Sequence, residues 1–120
     1  MARAQIQEST ASGNGSNGIV TGSSCLITKN TAISNGGFGI ETGGNCTVSF
    51  NTANNNDAGI GVGTAGSNAA GNLATHNIAI ENTTVDFLVF CPSEVTFNTS
   101  TGPGSYDFFG SPACKTAHNN

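Results

Sequence analysis

Charged residues are scarce in this chain. Charged side chains make up 8% of its 120 residues, and three basic and seven acidic groups leave a net charge of −4 at pH 7. Nucleic acids and anionic membrane surfaces are bound through clusters of lysine and arginine. The composition therefore argues against nucleic acid and against an anionic membrane as partners.

Long apolar runs and helical periodicity are also missing. No segment approaches the ~20 apolar residues that cross a bilayer, and no apolar export signal follows the opening residues MARAQ. No stretch shows the apolar period of a helix over about ten residues. The four cysteines fit neither a zinc-ligand spacing nor a CxxC motif. We therefore expect no membrane span and no helical solenoid.

Asparagine, by contrast, recurs at a fixed step of 21 residues. A repeat of this length buries its apolar face only by stacking on a neighbouring copy. Stacked asparagines ~4.8 Å apart can exchange amide hydrogen bonds and form a ladder. We predict one domain over residues 1–120, with coils ending near 14, 35, 56, 77, 98 and 119. The predicted ladder residues are Asn14, Asn35, Asn56, Asn77, Asn98 and Asn119, with a second column of Asn30, Asn51 and Asn72.

An apolar column keeps the same step and marks the predicted core. The pattern breaks once, at Gly61, where Ile60 and Val62 flank the glycine. This break predicts a local shift of one residue, with the phase restored at Ser67. The predicted core column consists of Ile6, Ile27, Val48, Ala69 and Phe90.

Within each repeat, side chains alternate between two faces as they do in a β-strand. In the segment 25–28, residues 25 and 27 are predicted to face inward and residues 26 and 28 outward. Glycines such as Gly22 and Gly43 are predicted to turn the corners, because glycine adopts positive φ at no steric cost. The outward column is predicted to contain Leu26, Thr47, Asn68 and Val89.

Three successive phrases carry a resemblance to a known superfamily. They are NGIVTGSSCLITKNTAISN, GIETGGNCTVSFNTANNN and GIGVGTAGSNAAGNLATHN. They resemble the repeats of right-handed parallel β-helix proteins of the pectate-lyase-like superfamily. The resemblance implies an all-β fold, a single-stranded right-handed parallel β-helix of roughly six coils with the first incomplete. It also implies an extracellular or cell-surface location, but not an activity, since this superfamily includes lyases, hydrolases, epimerases and inactive scaffolds.

No catalytic residue is predicted. Lyases of the superfamily pair a calcium-holding carboxylate cluster with a basic residue, and its hydrolases use several close carboxylates. Here most acids fall in different columns, and Lys29 has no acid in its own column. One acidic pair keeps the period: Asp86 and Asp107 would stack ~5 Å apart and could hold calcium. The simpler interpretation, which we favour, is two corner aspartates that bond backbone amides and face water.

The cysteines and histidines allow structural interpretations. Cys25 and Cys46 share an inward column and are interpreted as small buried thiols, with a disulfide as the alternative. Cys91 and Cys114 are 23 residues apart, and a disulfide between them would close the C-terminal turn. The histidines, His76 and His118, share a column but would lie ~10 Å apart, too far for one metal.

Three classes of function follow from these patterns. The first is a non-catalytic β-helix scaffold, or polysaccharide-contacting module, of a secreted or surface protein. The second is a segment or remnant of a polysaccharide lyase or epimerase whose catalytic coils are missing. The third is a structural solenoid that self-associates through its open coil ends. No cofactor other than calcium is suggested. Ice binding by a column of Thr10, Thr31 and Thr52 is not favoured, because the column is interrupted at Leu73.

Overall fold

The computed structural model describes residues 3–65 and 69–120. These residues form short β-strands and no α-helix, in agreement with the all-β prediction. The strands are β1 (Ala4–Gln7), β2 (Thr10–Ser12), β3 (Ile19–Val20), β4 (Cys25–Thr28), β5 (Thr31–Ile33), β6 (Phe38–Thr42), β7 (Thr47–Ser49), β8 (Thr52–Asn54), β9 (Ala58–Val62), β10 (Leu73–Thr75), β11 (Ile78–Ile80), β12 (Val85–Cys91), β13 (Glu94–Thr96), β14 (Thr99–Thr101), β15 (Tyr106–Gly110) and β16 (Lys115–Ala117).

Every third strand joins the same parallel sheet. Sheet A has the order β1-β4-β7-β10-β13-β16, sheet B the order β2-β5-β8-β11-β14, and sheet C the order β3-β6-β9-β12-β15. Each coil therefore contributes one strand to each of three sheets. The six strands of sheet A and the five of each other sheet confirm the predicted solenoid of about six coils.

The length of the coil is not constant. In sheet A, Ile6 pairs with Ile27, and Ile27 pairs with Val48, at the predicted 21-residue step. The next step is longer: Val48 pairs with Ala74, and Ala74 then pairs with Val95. The predicted core column is thus correct for its first three members and wrong for Ala69 and Phe90. Ala69 lies in the loop before β10, and Phe90 lies in β12 of sheet C.

A smaller slip occurs in sheet C, as predicted. Ile40 pairs with Ile60, one residue short of the 21-residue step, and Gly61 lies opposite Glu41. Ser67, where the phase was predicted to recover, lies outside the described residues, as does Asn68. The inward column of sheet C continues from Ile40 through Ile60 to Phe87, and these three side chains are fully buried.

The core is a narrow column of apolar side chains from all three sheets. Sheet A contributes Ile27 and Val48, sheet C contributes Phe87, and sheet B contributes only alanines. Burying a side chain of the Val, Ile or Phe size stabilises the fold by about 1.5–3 kcal/mol. The alanines of sheet B leave room for the polar side chains that fill the adjacent corners. These alanines are Ala32, Ala53 and Ala79, each with no exposed surface.

The corners are built mostly without glycine. At the corner between sheets A and B, the chain turns through a residue with φ between 53° and 58° in every coil. A non-glycine residue in this left-handed region costs roughly 1–2 kcal/mol. The residues in this column are Glu8, Lys29, Phe50, His76, Phe97 and His118.

The glycines instead allow successive coils to approach closely. Neither Gly22 nor Gly43 has positive φ, so their predicted role is wrong. A Cβ at Gly43 would lie 2.8 Å from the carbonyl carbon of Gly22, and one at Gly36 would lie 2.6 Å from the carbonyl oxygen of Gly15. Side chains at Gly36 and Gly43 would therefore push neighbouring coils apart.

Candidate functional site

Two asparagine ladders run through the protein, but the two columns predicted from the 21-residue period assign their members wrongly. The first ladder lies at the corner between sheets A and B, and the second lies between sheets B and C. The coil between Val48 and Ala74, which we call the long coil, explains the difference. It adds five residues, and the two ladders are also five residues apart, so Asn77 of the first ladder falls in phase with Asn56 of the second. The first ladder is Asn30, Asn51, Asn77, Asn98 and Asn119, and the second is Asn14, Asn35, Asn56 and Asn82.

Each rung satisfies its polar groups inside the protein. The backbone N–H and the Nδ2 of Asn51 both donate to Oδ1 of Asn77, each at 3.0 Å. Nδ2 of Asn51 also donates to the carbonyl oxygen of Ile27 at 2.9 Å. Asn51 and Asn77 are almost completely buried. The buried members of the ladders therefore hold coils together and are not available to a ligand.

A third column of hydrogen bonds occupies the corner between sheets C and A. The backbone N–H of Cys46 donates to Oδ1 of Asn72 at 2.9 Å, and the N–H of Asn72 donates to Oγ of Ser93 at 3.1 Å. Asn72 thus belongs to this corner. Its predicted place in a column with Asn30 and Asn51 is wrong, again because of the five added residues.

Asp86 ends the second ladder. It is fully buried, and its carboxylate accepts hydrogen bonds from Nδ2 of Asn82 at 2.8 Å and from Oγ of Ser100 at 2.5 Å. In β15, the residue opposite Asp107 is Leu88, because the coil is shorter there and Phe87 pairs with Tyr106. The predicted stacking of Asp86 on Asp107 is therefore wrong. The alternative of two water-facing corner aspartates fails for the buried Asp86, and Asp107 is exposed but lies within β15 and not at a corner.

The pKa of Tyr106 is affected by the buried carboxylate of Asp86. Burial raises the pKa of Tyr106 to about 12, and the negative charge of Asp86 adds to the shift. The phenol also donates to the backbone carbonyl oxygen of Asn120 at 3.0 Å. Tyr106 stacks on Phe87 with ring centroids 4.9 Å apart, so it also extends the core toward the last coil.

A trough follows the corner between sheets C and A along the solenoid. It consists of two adjoining cavities of about 580 and 240 Å³, which share Asn45 and Thr47. Successive sheet-A strands are ~4.8 Å apart, so six strands give a length of about 24 Å. We call it the axial trough and define it by the first outward residue of each strand beside it, in register: Gln5, Leu26, Thr47, Leu73, Glu94 and Lys115.

The family can now be stated. A model of the right-handed β-helix region matches residues 2–101. The chain belongs to this family. No curated protein and no solved structure matched the chain.

The axial trough of this β-helix was not predicted from the sequence. The predicted outward column passed from Leu26 and Thr47 to Asn68 and Val89, whereas the structure continues it through Leu73 and Glu94. The signal that could have revealed it is the pair Leu26 and Leu73, two leucines at equivalent outward positions. The five added residues in the long coil hide that equivalence.

Charge is unevenly distributed along the axial trough. Arg3 lies at one end, and Glu94 and Lys115 lie side by side at the other. Two of the three basic side chains of the chain therefore line the trough, against one of its seven acids. The stretch between them is formed by uncharged residues, including Leu26, Thr47 and Leu73.

The remaining acids of the described chain are used to hold loops or are dispersed. The Glu41 carboxylate accepts hydrogen bonds from Asn17 and Thr64, and that of Asp57 accepts one from Thr84. Across residues 3–65 and 69–120, no group of three or more His, Cys, Asp or Glu side chains converges as metal ligands would. The same ranges contain no helix with the length and apolarity needed to cross a membrane.

Two disulfides flank the axial trough. Cys91 is bonded to Cys114, as the sequence suggested, and Cys25 is bonded to Cys46, where buried thiols were favoured. The bonded residues are 23 and 21 positions apart. Closing loops of this length stabilises the folded state by about 3 kcal/mol each in the chain-entropy description.

Four rings stack along the corner between sheets A and B. His76 lies between Phe50 and Phe97, with ring centroids 4.9 and 5.1 Å away, and Phe97 stacks on His118 at 4.8 Å. His76 and His118 are exposed. Because the rings cover one another's faces, the faces of the inner rings are not free to stack on a ligand.

Proposed function

We propose that this β-helix is a non-catalytic scaffold that contacts a polysaccharide along the axial trough. The observation that supports this proposal is the continuity of the trough across all six strands of sheet A. An extended polymer presents similar groups at regular intervals, and a stacked coil presents similar positions at regular intervals. A trough parallel to the stacking direction lets several units of one polymer bind at once.

The distribution of carboxylates favours a role without catalysis. Hydrolysis of a glycosidic bond ordinarily uses two carboxyl groups about 5–9.5 Å apart. Among the described residues that line the trough, Glu94 is the single carboxylate. Asp86 accepts hydrogen bonds from Asn82 and Ser100, and Glu41 accepts them from Asn17 and Thr64.

The two disulfides support a place outside the cytoplasm. Disulfides form and persist in oxidising environments such as the extracellular space. The bonded pairs lie at the same corner as the trough, where they fix the backbone of its walls. We therefore propose a secreted or surface-associated location.

The proposal is tested by a binding screen with a panel of soluble polysaccharides, with and without calcium. Wild-type protein is compared with Leu73→Asp, which introduces a charge into the trough. The matched control is Ile78→Asp in the same coil, since Ile78 is an outward apolar residue on sheet B with 40% of its surface exposed. We expect Leu73→Asp to lose binding and Ile78→Asp to keep it.

Two results would contradict the proposal. Equal binding by the two variants would show that the trough is not the contact surface. A new ultraviolet-absorbing product from a uronate polymer would show that the chain is a lyase. The mass in solution, measured over a range of protein concentrations, separates polymer binding from self-association through the coil ends.

A further inference from the structure

We infer that the polymer in the axial trough is a neutral polysaccharide that lies parallel to the solenoid axis. This inference rests on the proposed function, because it names the class of polymer for the same trough. The charges, the apolar floor and the register of the residues that line the trough support this inference.

Among the residues that the structure describes, no cation lines the middle of the trough. Arg3 and Lys115 belong to opposite ends of sheet A, about 24 Å apart at ~4.8 Å per strand. A uronate polymer carries a carboxylate on every unit, so several of them would lie over Leu26, Thr47 and Leu73. Charges that lose water without gaining a partner disfavour binding, and the net charge of −4 adds repulsion.

Glu94, the single acid among the described residues that line the trough, lies next to a base. Glu94 and Lys115 are direct register partners on adjacent strands of sheet A. Cross-strand neighbours of opposite charge attract each other, which reduces the tendency of Glu94 to hold a cation. Calcium prefers six to eight oxygen ligands, and the described residues contain no converging set of acidic ligands. Capture of an acidic polymer through bridging calcium is therefore not expected here.

The floor of the trough combines apolar side chains with a few polar ones. Leu26 is 36% exposed, Leu73 is half-buried, and Pro92 and Pro112 are exposed beside them. Sites for small or extended ligands usually combine apolar walls with a few placed polar groups. Uncharged sugar rings offer C–H faces to such a floor, and their hydroxyls suit Thr47 and the exposed Asn45.

The ring stack at the opposite corner does not compete for this ligand. Its inner rings cover each other at 4.8–5.1 Å, so a sugar ring cannot lie flat against them. The trough, by contrast, leaves Leu26, Pro92 and Pro112 exposed and Leu73 partly exposed. The ring stack and the trough therefore differ in what they can bind.

The test compares neutral and uronate polymers by isothermal titration calorimetry at low and high salt. Neutral polymers should bind wild-type protein with an affinity that changes little with salt, because no long-range charge interaction is involved. Thr47→Lys places a cation in the middle of the trough. It should weaken the binding of neutral polymer about ten-fold and improve the binding of uronate polymer.

The matched control is Thr52→Lys, five residues along the same coil. Thr52 is outward and half-buried like Thr47, but it lies on sheet B. The same charge is thus added away from the trough. Thr52→Lys should leave the neutral-polymer affinity within about two-fold of the wild type.

The outcomes separate this inference from the proposed function. If uronate polymer binds wild type in preference, with salt-dependent affinity that Leu73→Asp abolishes, the trough is the site and neutrality is wrong. If neutral polymer binds and Thr47→Lys behaves like Thr52→Lys, the trough is not the site, and both proposals are wrong. If no polymer of either class binds, both are likewise overturned.

Discussion

The two asparagine ladders use the same residue in the same chain and end differently. The first continues through the long coil to Asn119, whose Nδ2 donates to the carbonyl oxygen of Val95. The second stops at Asn82. Extending the sheet-B register by two residues places Pro103 opposite Asn82, and proline has no side-chain amide. Asp86 supplies the missing acceptor from the same coil.

The comparison shows what a ladder position requires. The requirement is an inward acceptor for the groups of the preceding coil, and the amide is one way to meet it. Oγ of Ser93 accepts from the N–H and Nδ2 of Asn72 at 3.1 and 3.3 Å. At the end of the second ladder, the carboxylate of Asp86 takes this role from within the same coil and accepts from Nδ2 of Asn82. Gly59 leaves room for the amide that Asp86 accepts from, since a Cβ at Gly59 would lie 2.8 Å from Nδ2 of Asn82.

The largest effect is expected from breaking the continuous ladder. Asn77→Ala removes the acceptor for Asn51 and the donors to Asn98 and to the carbonyl oxygen of Val48. Each buried polar group left unpaired costs about 1–3 kcal/mol. We expect the free energy of unfolding, measured in urea, to fall by about 3–5 kcal/mol. The exposed Asn120→Ala is the control and should change it by less than about 0.5 kcal/mol. Equal losses would contradict the burial argument.

A smaller loss is expected at the end of the second ladder. Asp86→Ala strips acceptors from Asn82 and Ser100 and should cost about 2–4 kcal/mol. Asp86→Asn keeps one acceptor oxygen and should recover at least half of that loss. If alanine and asparagine were equally destabilising, the carboxylate would not be acting as the ladder's final acceptor.

An asparagine outside both ladders should be replaceable with a gain. Oδ1 of Asn54 is buried and has no hydrogen-bond partner. Its neighbours in register are Ile33 and Ile80. Asn54→Ile removes an unpaired acceptor and extends an isoleucine column, so we expect about 1 kcal/mol of added stability in urea unfolding. A loss would show that the amide makes a contact that stabilises the fold.

The smallest effect is expected for the pH dependence of stability that Tyr106 confers, next to Asp86, the last acceptor of the second ladder. Its folded pKa of about 12 lies above the usual value of 10, so its stabilising contribution is complete below pH 10. That contribution is lost as the pH rises from about 10 through 12, because the unfolded chain releases its proton first. Tyr106 is the single tyrosine and the chain has no tryptophan, so phenolate absorbance reports it directly. A titration midpoint near 10 would contradict the burial, and Tyr106→Phe should remove the pH dependence.

The fold could be predicted because its determinants are local and repeated. Alternating side chains in segments such as 25–28 and the recurring asparagines each point to stacked strands. The register beyond Val48 could not be predicted, because the added length equals the spacing between the ladders, so asparagine stays in phase while the strands do not. The same error placed Ala69 and Phe90 in the core and moved Asn72 to the wrong corner.

The candidate site was hidden for a related reason. The axial trough depends on Leu26, Thr47 and Leu73 sharing one column, and that column crosses the long coil. The predicted stacking of Asp86 on Asp107 was wrong for a separate reason. The coil between β12 and β15 is shorter than 21 residues. The disulfide between Cys91 and Cys114 was accessible to sequence reasoning because both residues lie beyond the added segment.

The register of the first ladder is the central claim, since the core, both ladders and the trough depend on it. Nuclear Overhauser contacts in solution test it without altering this 12.0 kDa protein. We expect strong contacts from the backbone amide proton of Asn51 to the side chain of Asn77, and from that of Asn56 to the side chain of Asn82. Contacts between Asn56 and Asn77 instead would restore the uniform 21-residue coil and contradict the account.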